Sequence, residues 1–290
     1  MKTVLSVLIP TYEYPAGLER ILEMLSPLPD DVEVLVFDDT PEPSLQPIIQ
    51  RFASRMPRLT YSHNPTQKGA ALGAGANWNA LLDAASGDYV MLLHHDEVPL
   101  DPRFLDELLH LITGTALMDA YMLDLLLVDE DLSPISSHVP SWTRFLIPRH
   151  FPNYLFRRNV IGPTGTLVIR GECAPRFDPD LRWLIDVEFY VKLFRRVNHW
   201  KFEHKIRVGS VQRTTGTITA ELSDCLKRIV TAERKKLADR YPEANFWLGE
   251  SPASRFLWME TLAWGGFRGL MWSMAPLKRV FRKSLRVDYR

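Results

Sequence analysis

The strongest constraint on this chain is an alternation in its first third. Four short apolar runs, at residues 4–9, 32–37, 59–61 and 89–93, are each separated by a stretch with helical spacing. The first run stops at Pro10, and Leu18, Ile21, Leu22 and Leu25 then recur at helical intervals behind Pro15. Leu45, Ile48, Ile49 and Phe52 make a second helical stripe, and the alanine-rich stretch 69–85 makes a third, with Gly87 expected at its C-cap. Short, continuously apolar runs read as strands buried on both faces, and the order β-α-β-α-β-α-β predicts a mostly parallel sheet covered by helices.

Ligands on such sheets bind beyond the carboxyl ends of the strands. Two of the runs end in acidic clusters: Asp38-Asp39 follows the second, and His94-His95-Asp96-Glu97 follows the fourth. Parallel pairing brings both clusters to one sheet edge. Carboxylate oxygens suit a hard divalent cation, Mn2+ or Mg2+, and manganese also tolerates imidazole. Asp96 is the expected metal ligand. Asp186 opens a later helical pattern, at 184–195, and offers a carboxylate from the other wall of a cleft; a plain helix N-terminal charge is the competing reading.

The remainder is less regular. Strands are expected at 120–128, 166–170 and 200–208, and a charged helix at 220–241. Residues 133–158, rich in proline and aromatics, read as a long loop. A catalytic domain over 1–217 and a helical C-terminal region over 218–290 follow. Phe256, Leu257, Trp258, Leu262, Trp264, Phe267, Leu270, Met271 and Trp272 precede a basic run. Residues 265–290 carry seven basic residues against one acidic, a composition that fits a helix lying in an anionic membrane interface.

The formal net charge is zero, so no global field favours nucleic acid. Cys173 and Cys225 stand in no metal-like spacing and read as thiols of a reducing compartment. The apolar run 4–9 is shorter than a secretory core, and no stretch of about 20 uninterrupted apolar residues is present. A cytoplasmic protein is expected, either peripheral on the inner face of the cytoplasmic membrane through its C-terminal segment or with that segment packed on the catalytic domain.

Val7-Leu8-Ile9-Pro10-Thr11-Tyr12, Val34-Leu35-Val36-Phe37-Asp38-Asp39, Asn64, Lys68-Gly69, Asn77, the approach Gly87-Asp88-Tyr89 to the 94–97 cluster, and Phe177-Asp178 followed by Ile185-Asp186-Val187-Glu188 occur in that order. Together, over about residues 3–217, they resemble the family 2 inverting glycosyltransferases of the GT-A (Rossmann-like) fold. The resemblance implies transfer of a sugar from a nucleotide-sugar donor, with uracil as the expected base, to a glycan or lipid-linked acceptor. It implies that Pro10, Thr11, Tyr12, Asp38 and Asp39 hold the base and ribose, that Asp96 binds metal and that Asp186 is the general base. Lys68, His94 and His95 would face the donor. Trp183, Glu97, Glu188 and Arg213 are candidates for acceptor or loop contacts. One departure stands out: His94 occupies the first acidic position of the family's Asp-x-Asp motif, which lowers the negative charge available to a cation. A non-catalytic nucleotide-binding protein on the same fold is the alternative. A zinc hydrolase lacks its His-Glu-x-x-His motif here, and a nucleotidylyltransferase lacks its glycine-rich basic loop after the first strand.

Overall fold

The computed structural model describes residues 2–41, 45–64, 71–114, 117–212 and 225–248. The first third runs β1 (Leu5–Thr11), α1 (Pro15–Leu25), β2 (Val32–Asp38), α2 (Gln46–Phe52), β3 (Leu59–His63), α3 (Ala74–Ala84) and β4 (Tyr89–Leu92). β1 is buried at all seven positions because β2 and β4 pair with it in parallel on either side and helices cover both faces. α1 starts with Pro15 in its first turn, where no backbone donor is lost, and buries Leu18, Ile21, Leu22 and Leu25. These side chains meet Val7, Ile9, Val34, Val36 and Met91 in the principal core.

Beyond β4 come β5 (Glu97–Pro99), α4 (Phe104–Ile112), β6 (Ala120–Val128), β7 (Pro134–Ser137), α5 (Ser141–His150), β8 (Leu167–Arg170), α6 (Ile185–Arg196), β9 (Trp200–Val211) and α7 (Leu226–Arg240). The sheet order is β3-β2-β1-β4-β8-β6-β9-β5, with β7 paired to β6. The expected parallel arrangement holds across β3-β2-β1-β4. The second half is mixed: β8 is antiparallel to β4 and to β6, β9 is parallel to β6, and β5 is antiparallel to β9. β5 thereby carries the 94–97 cluster onto the end of β9.

Two expectations need correction. α3 ends on an extended Ala85 cap, not on Gly87. Gly87 is required elsewhere, since a Cβ there would lie 2.7 Å from the Ser6 backbone nitrogen. Residues 133–158 are not a loop, for they hold β7, α5 and a 3-10 turn at Pro152–Phe156. α5 escapes detection because its buried residues are Thr143, Arg144 and Pro148 while its large apolar residues face outward. The chain divides into compact units Met1–Glu233 and Arg234–Arg290. Within the first, the Glu233 carboxylate accepts backbone N–H bonds from Arg182 (2.6 Å), Trp183 (3.1 Å) and Leu184 (2.8 Å). The aromatic and basic stretch 256–290 lies outside the described residues. Among the described residues no helix is long and apolar enough to cross a membrane.

Arg144 is the largest fully buried side chain. Its guanidinium donates to the Ile161 carbonyl (3.0 Å) and to Asp124 (3.3 Å), and burial lowers its pKa to about 10. Arg144→Met keeps the volume but leaves those acceptors unmet, so urea unfolding should show a loss of about 3 kcal/mol. An unchanged midpoint would mean that α5 is not held by this residue.

Candidate active site

The first acidic pair divides its labour. Asp38 is fully buried and accepts from the Thr40 amide (3.0 Å) and the Tyr61 hydroxyl (2.8 Å). Burial first, and then the bond to Asp38, push the Tyr61 phenol well above its ordinary range. Asp39 accepts from the amides of Leu72 (2.7 Å) and Gly73 (2.8 Å), immediately before α3. A carboxylate there satisfies donors left open at a helix start and complements the helix dipole. Gly73 itself has φ +88°, the left-handed region that glycine enters without penalty. Pro10 and Thr11 are buried in β1 opposite Phe37 and Asp38. Tyr12 is exposed at the strand end, and its amide points to His95 Nδ1 at 3.4 Å.

The second cluster is organised around Glu97, which is 1% exposed. Its Oε1 lies 3.0 Å from His94 Nδ1, and its Oε2 accepts the Gly165 amide at 2.8 Å. Gly165 admits nothing larger, because a Cβ would sit 1.9 Å from Glu97 Oε2. The other His94 nitrogen, Nε2, meets the Thr164 hydroxyl at 3.1 Å, so both ring nitrogens are engaged. Burial raises the Glu97 pKa against the pull of His94. Burial pulls the His94 imidazole down, but the negative charges of Glu97, Asp96 and Asp186 and the Glu97 bond leave it above its usual value. The Asp96 carbonyl accepts the Val211 amide (2.8 Å), fastening the cluster to the end of β9. His94, Asp96 and Glu97 offer ligand atoms within 4.8 Å of one another.

Asp186 sits in the first turn of α6, half-buried. Asn159 Nδ2 donates to its Oδ2 (2.9 Å) and the Val187 amide to its Oδ1 (2.7 Å). Desolvation outweighs both bonds and the nearby His94, and the carboxyl pKa is raised to about 6. Asn159 also spans its own turn, donating to the Gly162 carbonyl (3.0 Å) and accepting from the amides of Ile161 and Gly162. The Tyr190 hydroxyl closes the other side of that turn through the same carbonyl (2.9 Å).

Rings join the two walls. Trp78 of α3 stacks on His94 with centroids 4.6 Å apart and meets Phe177 edge-on at 4.8 Å. Phe177 stacks on Phe189 of α6 at 4.1 Å. Gly75 of α3 also runs close to the second wall, since a Cβ there would lie 3.0 Å from Ile185 Cδ1. The helix whose start is held by Asp39 therefore carries the ring under His94 and abuts the residue before Asp186.

Not every expected residue joins this site. Glu188 is buried on the inner side of α6 and paired with Lys192 (2.7 Å), which removes it from acceptor contacts. Trp183 is half-buried and tied through its amide to Glu233. Lys68 and Arg213 lie outside the described residues. Trp78, Asn159, Thr164 and Gly165 were missed. Only Gly162-Pro163-Thr164-Gly165 signals a turn in sequence, and an isolated asparagine signals nothing.

Residues 6–123 match the family model described as Glycosyl transferase family 2. Over that stretch the chain is similar to the family 2 glycosyltransferases. The matched segment includes both acidic clusters and ends within β6, before Asp186. No curated protein matches the chain in sequence. Among solved structures, S. aureus TarS 1-349 in complex with UDP-GlcNAc aligns with TM-score 0.61 and 17% identity, over 82% of this chain and 67% of that one. The mannosyltransferase PcManGT from Pyrobaculum calidifontis, in complex with GDP-Man and Mn2+, aligns with TM-score 0.52 and 15% identity over 100% and 89%. Glucosyl-3-phosphoglycerate synthase from Mycobacterium tuberculosis, with Mn2+, UDP and glucosyl-3-phosphoglycerate, gives 0.51 and 18% over 80% and 79%. The chain spans 40% of the longer S. aureus TarS structure. At these identities the likeness establishes the GT-A fold.

A carboxyl whose pKa is raised on folding destabilises the folded state above that pKa, and the penalty vanishes below its unfolded value. Asp186→Asn should therefore stabilise the protein at pH 7.5 by about 1–2 kcal/mol in urea unfolding and leave it unchanged near pH 3.5. Equal effects at both pH values would remove the raised Asp186 pKa. Asn159→Ala deletes a bond to the charged form, so carboxyl-carbon NMR should show the Asp186 titration moving above 6.

Proposed function

We propose that the chain is an inverting glycosyltransferase that moves a sugar from a UDP-sugar donor, assisted by a divalent cation, to a hydroxyl of a glycan or lipid-linked acceptor. The observation that carries this reading is Asp186. It is a carboxylate whose pKa is raised to about 6, and its electrostatic coupling to His94 supports a base acting beside the Asp96 cluster. A general base with such a pKa is largely ionised at neutral pH yet retains affinity for a proton.

Each residue has a part. Tyr12, Thr11 and Pro10 stand at the end of β1, beside Asp38 and Asp39, where a base and ribose would lodge. Asp38 acts from beneath, keeping Tyr61 and the turn at Thr40 in place, and Asp39 sets the start of α3. Asp186 takes the proton from the acceptor hydroxyl as its oxygen attacks the anomeric carbon and the bond to the nucleoside diphosphate breaks. One displacement inverts that carbon, and Asn159 keeps the carboxylate aimed.

The Asp96 carboxylate suits a hard divalent cation, manganese or magnesium, and His94 would add an imidazole ligand only by giving up its Thr164 contact. Asp96 is the carboxylate best placed to hold the ion, since Glu97 is spent on His94 and Gly165. Glu97 fixes the imidazole as an outer carboxylate does for many metal-binding histidines. When bound, the cation neutralises the leaving diphosphate as a Lewis acid. The engagement of both His94 nitrogens favours a second reading, a nucleotide-binding protein without turnover. A lipid-linked acceptor, a role in cell-surface glycan synthesis and attachment to the inner face of the cytoplasmic membrane are supported by the C-terminal aromatic and basic sequence.

UDP with manganese should give the largest thermal shift among nucleoside diphosphates, and Asp96→Ala should abolish only its metal-dependent part. With turnover, kcat/KM should fall as pH drops through about 6 as Asp186 takes up a proton, and Asp186→Asn should cost about 100-fold or more. Tight UDP binding without transfer or hydrolysis of any UDP-sugar would favour the non-catalytic reading.

A further inference from the structure

α5 is amphipathic the wrong way round. Thr143, Arg144 and Pro148 point inward, while Trp142 (56% exposed), Phe145 (38%) and Leu146 (41%) point outward, and Phe151 (61%) follows at the helix end. Trp142, Phe145 and Leu146 fall on one helical face. A ten-residue surface helix ordinarily buries its apolar stripe. Here a buried arginine and threonine occupy the inner face, so the outer aromatics are surplus to the core. A contiguous exposed apolar face of this kind marks an interaction surface.

Charge identifies the partner. Of the five arginines in residues 132–171, Arg144 and Arg170 are paired with Asp124 and Asp119, and the cationic groups beside the aromatics are Arg149 and His150. Arg149 and His150 are exposed on the same side as the aromatics. The Arg149 guanidinium lies over Phe145 (4.8 Å) and Trp200 (5.1 Å), keeping a positive charge beside the rings. Tryptophan and phenylalanine seat at the boundary between headgroups and acyl chains, and arginine reaches back to lipid phosphate. A second copy meeting this face about a two-fold axis would set Arg149 and His150 against themselves.

We propose that the outward face of α5, with Phe151, docks on an anionic lipid bilayer and sets the acceptor side of the cleft against that surface. The inner face supplies the mechanical link. Arg144 holds the Ile161 carbonyl, in the turn whose Asn159 meets Asp186 and whose Thr164 meets His94. The use of this docking rests on the lipid-linked acceptor of the proposed reaction, whereas the docking itself rests on the exposed residues alone.

The test uses the full chain and vesicles of phosphatidylglycerol with phosphatidylcholine, or phosphatidylcholine alone. Hydrogen exchange should slow at residues 141–151 with the anionic vesicles only. Trp142→Ser/Phe145→Ser/Phe151→Ser should weaken flotation by about tenfold or more while retaining the UDP thermal shift, which shows an intact fold and donor site. Flotation with no change in exchange at 141–151 overturns the proposal, because docking then lies elsewhere. Equal protection by neutral vesicles also overturns it, as does protection that appears without lipid and grows with protein concentration. Loss of UDP binding by the unmodified chain would count against the donor reading and leave the docking result standing.

Discussion

The turn from Asn159 to Gly165 is the constraint on which the site depends, and Glu97 is its fulcrum. A carboxylate that is 1% exposed is costly unless its oxygens are met, and Glu97 meets His94 with one and the Gly165 amide with the other. That pair of contacts presses a turn from the second half of the chain onto the end of β4. The same turn then offers Thr164 to His94 and Asn159 to Asp186. Arg144 and Tyr190 hold it from behind through the carbonyls of Ile161 and Gly162. The glycines follow from this crowding. Gly162 adopts φ +93° with Leu125 2.3 Å from where a Cβ would stand, and Gly165 has the Glu97 carboxylate closer still.

Stability and chemistry pull in opposite directions at Asp186. Its helix start and its two hydrogen bonds favour the ionised form, yet desolvation prevails and holds the pKa near 6. A fold selected for stability alone would place an amide or a hydroxyl there. Keeping a partly desolvated carboxylate beside His94 is sensible where a proton must be accepted during each cycle. Tyr190, buried beneath, feels the charges of both Asp186 and Glu97, and its hydroxyl remains a donor to Gly162 because burial and those charges push its ionisation far upward.

The parallel half of the fold was legible because each strand is buried on both faces and so writes an unbroken apolar run. The acidic pair and the 94–97 cluster were legible for a related reason, since a charged residue directly after such a run has few places to go but the sheet edge. What lay across the chain was not legible. Asn159, Thr164 and Trp78 act through contacts with residues 27, 70 and 16 positions away, and nothing local marks them. Asp39 was expected at the base, yet its carboxylate also organises the start of α3, a contact that no periodicity announces. α5 was read as loop because pattern analysis assumes that apolar residues point inward, and in α5 they do not.

That inversion and the mixed sheet are parts of one arrangement. The family match ends at residue 123, just past the last β6 residue paired with β8, while β6 stays paired with β9 as far as Val128. Before that point the chain builds one wall mostly from parallel strands whose ends are fixed by backbone geometry. After it, the strands are mixed in direction, and the second wall is assembled from turns that need side chains to hold them: Arg144, Asn159, Tyr190 and Glu233. A wall of turns tolerates change at its outer surface as long as its inner bonds survive. α5 illustrates the consequence. Its inner residues are committed to the turn that carries Asn159, which leaves the outer ones free to be chosen for whatever the acceptor side must meet.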